Sequence, residues 1–319
     1  MKKMFLAALL ATGLTWGGAA LAADDYPTRP IRVLNQFGPG GGADLTGRPV
    51  LDKLGSVLGA SVLMDFKPGA SGLIAAAEFE KSAADGYTLL IETQTLSNNT
   101  LLRKVAYRPA EWEPLSLFAI IPLGMLAAQN VPARNLAELV DHAKKNRGKL
   151  TYGTLGPGSI SHLAALLFSR TTGTEWLQVP YKGTTEVHQD LMGGRLDIFF
   201  DGVSQALPLQ RDGRLKIMGL TTEERIPLAG NVPTFKEQGI NISTGSWFGF
   251  VAPKGTPRTV TSRLSREIAA YVTSGEYQEK MKNLGVIAIA TTAQEYAEFR
   301  RNDLRKWEEV IKQNNLRLE

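Results

Sequence analysis

The chain has 319 residues, 43% of them hydrophobic and 21% charged, with 32 glycines and no cysteine. That is ordinary globular composition with length for about two domains, and it excludes a disulfide frame, thiolate chemistry and a cysteine-linked lipid anchor. The formal net charge is +5, but the basic residues are scattered and form no stripe interleaved with aromatics. This argues against nucleic acid as a partner and leaves a mild field favouring small anions.

The chain opens with Lys2 and Lys3, an apolar run from Phe5, and Ala20-Leu21-Ala22 ahead of Ala23, Asp24 and Asp25. This is the pattern of a secretory signal peptide, residues 1–22, cleaved near Ala22, with a released periplasmic mature chain. An uncleaved membrane anchor is the competing reading. Removing the leader takes two lysines and no acid, leaving +3. No later run reaches the roughly 18 apolar residues of a membrane span.

From there strands and helices alternate. Residues 31–37 read as a strand; 50–58 as a helix with Val50, Leu51, Leu54, Val57 and Leu58 on one face; 61–66 as a strand; 75–81 as a helix; and 88–91 as a third strand. A second set begins near Gly124, with strands at 124–128, 150–153, 178–179, 197–200 and 217–220 and helices at 136–145, 159–169 and 186–192. A strand after Ser246 and amphipathic helices at 259–272, 276–283 and 293–314 close the chain. Such alternation predicts an α/β fold with mostly parallel sheets flanked by helices. With no flexible linker, two lobes joined by crossing strands are expected, lobe 1 being residues 23–123 and 245–319 and lobe 2 residues 124–244. The ligand site is then the interlobe cleft, beyond the carboxyl ends of the strands.

Two glycine-rich loops carry the chemistry. Gly38-Pro39-Gly40-Gly41-Gly42 follows the first strand and lacks the Lys-Ser/Thr of a phosphate-binding P-loop. It fits a loosened dinucleotide pattern, Gly38-x-Gly40-x-x-Ala43, but Asp65 only loosely supplies the acidic partner that pattern needs. A structural tight turn is the plain alternative. Physically, glycines let the backbone approach a ligand, and a helix beginning just after offers free N–H groups and partial positive charge to a carboxylate or phosphate. If Asp44 caps that helix, Pro49 lies inside it; if Thr46 does, Pro49 falls in the first turn. The second loop, Thr154-Leu155-Gly156-Pro157-Gly158-Ser159, precedes the helix carrying His162, with Ser159 as N-cap. One such loop per lobe suits a ligand with two anionic ends.

The chain resembles the Bug (TctC-like) family of extracytoplasmic solute receptors, the binding components of tripartite tricarboxylate transporters. The likeness rests on the order and spacing of Tyr26-Pro27-Thr28-Arg29-Pro30, Phe37 to Gly42 with Asp44 and Arg48, Lys67-Pro68-Gly69-Ala70, and Asp85-Gly86-Tyr87. It continues through Gly148-Lys149-Leu150, His162-Leu163, Val179-Pro180-Tyr181-Lys182-Gly183, Gly193-Gly194-Arg195-Leu196-Asp197, Phe200-Asp201 and Ser246-Trp247-Phe248-Gly249. The resemblance implies a two-lobed type II periplasmic-binding-protein fold, a carboxylate ligand (a di- or tricarboxylate or an aromatic acid), delivery to membrane transporter subunits, a monomer, no cofactor and no catalysis.

It implies that Phe37, Gly38, Pro39, Gly40, Gly41 and Gly42 grip one carboxylate, with Asp44 supporting the helix start. Thr154, Leu155, Gly156, Gly158, Ser159 and His162 meet the ligand's far end. Thr93, Gln94, Tyr181, Lys182 and Asp201 line the cleft. The chain departs from the family at Ser71, where glycine is usual, along Glu92 to Leu96, at Arg108 and at Leu155.

Against these roles stand plainer ones: His162 as packing or cap, Lys182 as a surface lysine, Asp201 as a turn cap, and Trp247 as core or hinge. His142, His162 and His188 lack metal-site spacing, and no nucleophile elbow accompanies Ser159. A sensory receptor of the same fold is the second functional reading, and an enzyme the third.

Overall fold

The computed structural model describes residues 26–313; the leader assigned to residues 1–22 lies outside them. The first set of elements is β1 (Ile31–Asn35), α1 (Gly42–Leu58), β2 (Val62–Phe66), α2 (Leu73–Glu80), β3 (Thr88–Glu92) and α3 (Gln94–Leu102). The long β4 (Glu113–Ala127) leads to α4 (Leu136–Lys145), β5 (Thr151–Thr154), α5 (Ile160–Thr172), β6 (Leu177–Pro180), α6 (Thr184–Met192), β7 (Ile198–Gly202), α7 (Val203–Arg211) and β8 (Lys216–Leu220). Then β9 (Gly245–Ala252), α8 (Arg258–Val272), α9 (Gly275–Asn283), β10 (Ile287–Ala288) and α10 (Ala293–Gln313) return to the first set.

The strand order is β2-β1-β3-β9-β4-β7-β5-β6, with β8 and β10 also pairing β4. Each end is a parallel triplet, β2-β1-β3 and β7-β5-β6, as the strand–helix alternation predicts. The centre is antiparallel. Glu113 to Pro122 of β4 pair with β9, whereas Leu123 to Ala127 pair with β7 and β8, so one strand serves both halves. The sequence reading placed a strand only at 124–128. Pro114 and Pro122 interrupt the preceding stretch and hide its continuity, because proline cannot donate to a ladder.

Apolar side chains collect on both sides of this junction. One core runs from Leu123 to Ile242; two others draw on residues 26–121 and 247–296. A smaller cluster of Leu102, Leu163, Trp307, Val310 and Ile311 packs α3, α5 and α10 together. The fold is thus α/β with two lobes, as expected.

Alpha1 settles the Pro49 question in an unforeseen way. Its N-cap is Gly41, neither Asp44 nor Thr46, so Pro49 lies inside the helix. Alpha4, by contrast, has the boundaries its sequence predicts: Asn135 accepts from the Glu138 amide as a side-chain cap. Alpha3 was not foreseen. Its Ser97-Asn98-Asn99-Thr100 run has poor helix propensity, and burial of the segment overrides that preference.

Gly249 on β9 leaves room for the buried Tyr296 ring of α10, which a Cβ at this position would overlap. Gly249→Ala is expected to lower the unfolding free energy by about 1–3 kcal/mol, the usual range for overpacking. Urea denaturation checks this.

Candidate functional site

The carboxyl ends of β1, β3, β5, β6 and β7 supply the candidate residues. At the end of β1, Asn35 Oδ1 accepts from the Phe37 amide at 3.0 Å, which starts the turn. Gly40 adopts φ +78°, a left-handed geometry. No side chain caps α1; the Asp44 amide donates to the Gly41 carbonyl at 3.0 Å, which leaves the Gly42 and Ala43 amides at the helix start without an intrahelical acceptor. Asp44 turns back instead: its Oδ2 accepts from the Gly40 amide at 2.8 Å, and Arg48 lies 2.6 Å from Oδ1 as an ion pair. Gly42 is wedged, since a Cβ there would come within 2.7 Å of Ile121 Cδ1; Gly38 and Gly40 face open space. Phe37 is partly buried and Pro39 exposed.

Beyond β3, Thr93 is the extended N-cap of α3, and its Oγ1 accepts from Gln36 Nε2 at 2.6 Å. The Gln94 side chain is turned to β9, where its Oε1 accepts from the Trp247 amide at 3.2 Å. Trp247 itself is buried, donates its Nε1–H to Asp303 at 2.8 Å and packs edge-on against Tyr296 and Phe299, which makes it a core residue.

The second loop is held from within. Ser159 caps α5 by accepting from the His162 amide, and the Gly158 amide donates to His162 Nδ1 at 3.1 Å. His162 therefore carries its proton on Nε2 and is neutral, since burial pushes its pKa down to about 4. The Leu155 amide donates to Ser161 Oγ, while its side chain packs on the neighbouring core. Thr154 is buried, its Oγ1 accepting from Gln178 and its carbonyl from the Tyr181 amide.

This loop meets the opposite half directly. A Cβ on Gly156 would lie 2.7 Å from Ser71 Oγ, and one on Gly158 would lie 2.6 Å from Leu102 and 3.3 Å from Asn99 Oδ1. Ser71 sits in a run of four left-handed residues, Gly69, Ala70, Ser71 and Gly72, and two of these are not glycine. Asn99 Nδ2 donates to the Ser71 carbonyl at 2.9 Å, bracing that loop on α3. Ser71, Asn99, Gln36 and His188 were absent from the sequence-derived set. The polar run after β3 was a local signal for Asn99 and the departure at position 71 one for Ser71.

Asp201, Tyr181 and Lys182 are engaged differently. Asp201 Oδ2 lies 2.7 Å from His188 Nε2, and its Oδ1 accepts from the Gly202 amide, so both oxygens are occupied. Tyr181 donates its hydroxyl to Asp190 at 2.9 Å. Lys182 is exposed. Acids at the strand ends are thus matched by neighbours: Asp44 by Arg48, Glu92 by Arg300, Asp201 by His188. Among the described residues no group of His, Cys, Asp and Glu could hold a metal, and no helix is long and apolar enough to cross a membrane.

Glycine loops at opposed strand ends on a two-lobed α/β frame define a solute-binding protein. Residues 47–316 match the model of the tripartite tricarboxylate transporter family receptor, and the chain belongs to that family. It is 32% identical to Rpa4515 of R. palustris, solved with adipate, over 90% of this chain and 98% of that one, with a TM-score of 0.86. It is 27% identical to MatC of Rhodopseudomonas palustris, solved with bound malate, over 90% and 100% of the two chains, with a TM-score of 0.84. Protein BugT of Bordetella pertussis is 29% identical over 94% of each chain.

Proposed function

We propose that this protein captures an organic carboxylate, a di- or tricarboxylate or an aromatic acid, between its lobes in the periplasm. As a monomer it delivers the acid to the membrane subunits of a tripartite tricarboxylate-type transporter, without catalysis or cofactor. The observation that carries this is the pairing of the uncapped N-terminus of α1 with the glycine loop before α5, each at a strand end of its own half. Free N–H groups and the helix dipole stabilise an anion without a cationic side chain. Burial of a carboxylate is otherwise costly, so several donors must converge on it. The adipate and malate of the two related structures support the same ligand class.

In this reading lobe 1 comprises residues 23–123 and 245–319 and lobe 2 residues 124–244, supported by the separate core of 123–242. The signal peptide of residues 1–22 directs export. Phe37 to Gly42, Thr93 and the 154–159 loop meet the ligand. Asp44 and His162 hold the two glycine loops in place, and Asp201 is held by His188 and the Gly202 amide at the end of β7. Ligand binding favours closure only by its greater affinity for the closed form.

Calorimetry across mono-, di- and tricarboxylates, with native mass spectrometry of the purified protein to weigh any retained ligand, tests the reading. It fails if every acid is ignored while a sugar or a cation binds. Gly38→Asp probes the first loop: its Cβ meets nothing within 4 Å, and the added carboxylate competes for the same N–H groups. The expected result is ligand affinity reduced about tenfold or more with the fold retained.

A further inference from the structure

The C-terminal half of α10 joins the two halves of the molecule. It is anchored in lobe 1: Arg300 Nε lies 3.1 Å from Glu92 at the end of β3, and Asp303 accepts from Trp247 Nε1 of β9 at 2.8 Å. Just beyond these anchors Trp307, Val310 and Ile311 are buried in one apolar cluster with Leu102 of α3 and Leu163 of α5.

Helix α5 belongs to the other half. Its Ala164, Ala165 and Phe168 sit in the core formed by residues 123–242, so the helix moves with lobe 2. Leu163 faces away from that core. It is fully buried, and outside its own helix its cluster partners come from α3 and α10. The same helix carries the second glycine loop at its N-terminus. Gly156 of that loop lies against Ser71, and Gly158 against Leu102. Leu163 follows the Ser159 cap by about 6 Å along the helix axis. A rotation of lobe 2 that lifts the loop from Ser71 and Leu102 therefore draws Leu163 away from Trp307 and wets both side chains.

We propose that Leu102, Leu163 and Trp307 form an apolar latch between the lobes, which populates the closed form before the ligand arrives. The latch acts by removing apolar surface from water, not by touching the ligand. It sets affinity through the fraction of molecules already competent to hold the ligand. The proposal rests on the interlobe site of the reading above but not on the chemistry of the ligand.

Small-angle X-ray scattering of the ligand-free mature protein, with calorimetry using malate and adipate, provides the test. Trp307→Ala is expected to enlarge the radius of gyration and to weaken binding of whichever acid binds about tenfold or more. Leu163→Ala, made on the opposite lobe, is expected to act in the same way. The double variant should lose less than the sum of the two, since both remove one contact. Urea denaturation shows which variants are folded, and Leu163→Ala carries the test should Trp307→Ala not fold. Leu139→Ala, which truncates an equally buried leucine of the lobe 2 core, is the control. It is expected to lower stability without opening the molecule. An unchanged radius of gyration in the folded variants overturns the latch, as does affinity within about twofold of wild type. Equal opening in Leu139→Ala also overturns it, by assigning the effect to lost stability. If neither acid binds, the carboxylate reading fails separately and scattering alone decides the latch.

Discussion

Glu92→Leu is expected to lower the unfolding free energy by about 3–5 kcal/mol, because it strands the guanidinium of Arg300 in the core. Glu92 ends β3 fully buried, with Arg300 Nε at 3.1 Å and the Tyr296 hydroxyl donating to it at 2.8 Å. Burial pushes its carboxyl pKa up, while Arg300 and the hydroxyl pull it back. Arg300 also donates to the carbonyls of Pro109 and Trp112, which hold it in place with little of its side chain reaching solvent. Replacing both partners, Glu92→Leu with Arg300→Met, is expected to recover most of the loss, since a buried ion pair is worth little more than a well-packed apolar pair. Urea denaturation of the two variants and the wild type separates the cases. A single-variant loss under about 1 kcal/mol would mean that the guanidinium finds other partners.

Acid is expected to destabilise the protein through His162. The unfolded imidazole titrates near its ordinary 6.5 and the folded one near 4, depressed by burial. Between those values the unfolded state binds more protons, so stability falls as pH falls. The contribution is fully present above pH 6.5 and gone near pH 4, and it amounts to about 3 kcal/mol. In the folded protein Nδ1 is protonated only near pH 4, where it ceases to accept from the Gly158 amide, so ligand affinity is expected to fall there. His162→Gln flattens this part of the stability profile when chemical denaturation is measured from pH 4 to 7. An unchanged slope in that variant would assign the acid sensitivity to other groups.

Some of the site is written locally. The glycine loops at 38–42 and 154–159 stand out because glycine clusters rarely follow strands without a backbone reason, and the Ser159 cap needs only its own helix. Alpha4 lies at the 136–145 read from the sequence, and the structure adds Asn135 as its cap. Alpha3 escapes such a reading: its polar run lacks a stripe, and it becomes helical only because the surrounding packing buries it. Tyr181 and Lys182 illustrate the opposite limit. Their sequence context marks the cleft, yet the phenol is drawn to Asp190 and the lysine to the surface, choices made by neighbours that local pattern does not list.

By itself, then, the sequence determined the α/β class, the order of the elements and the two anion-suited loops, because period, turn chemistry and capping act within a few residues. Tertiary structure alone decided that β4 serves both halves, that Glu92 meets Arg300, and that Ser71 and Asn99 face Gly156 and Gly158 across the lobes. Those outcomes depend on which distant groups share a buried space. There an unpaired polar atom or charge is penalised, a penalty that exists only once the chain has closed around it.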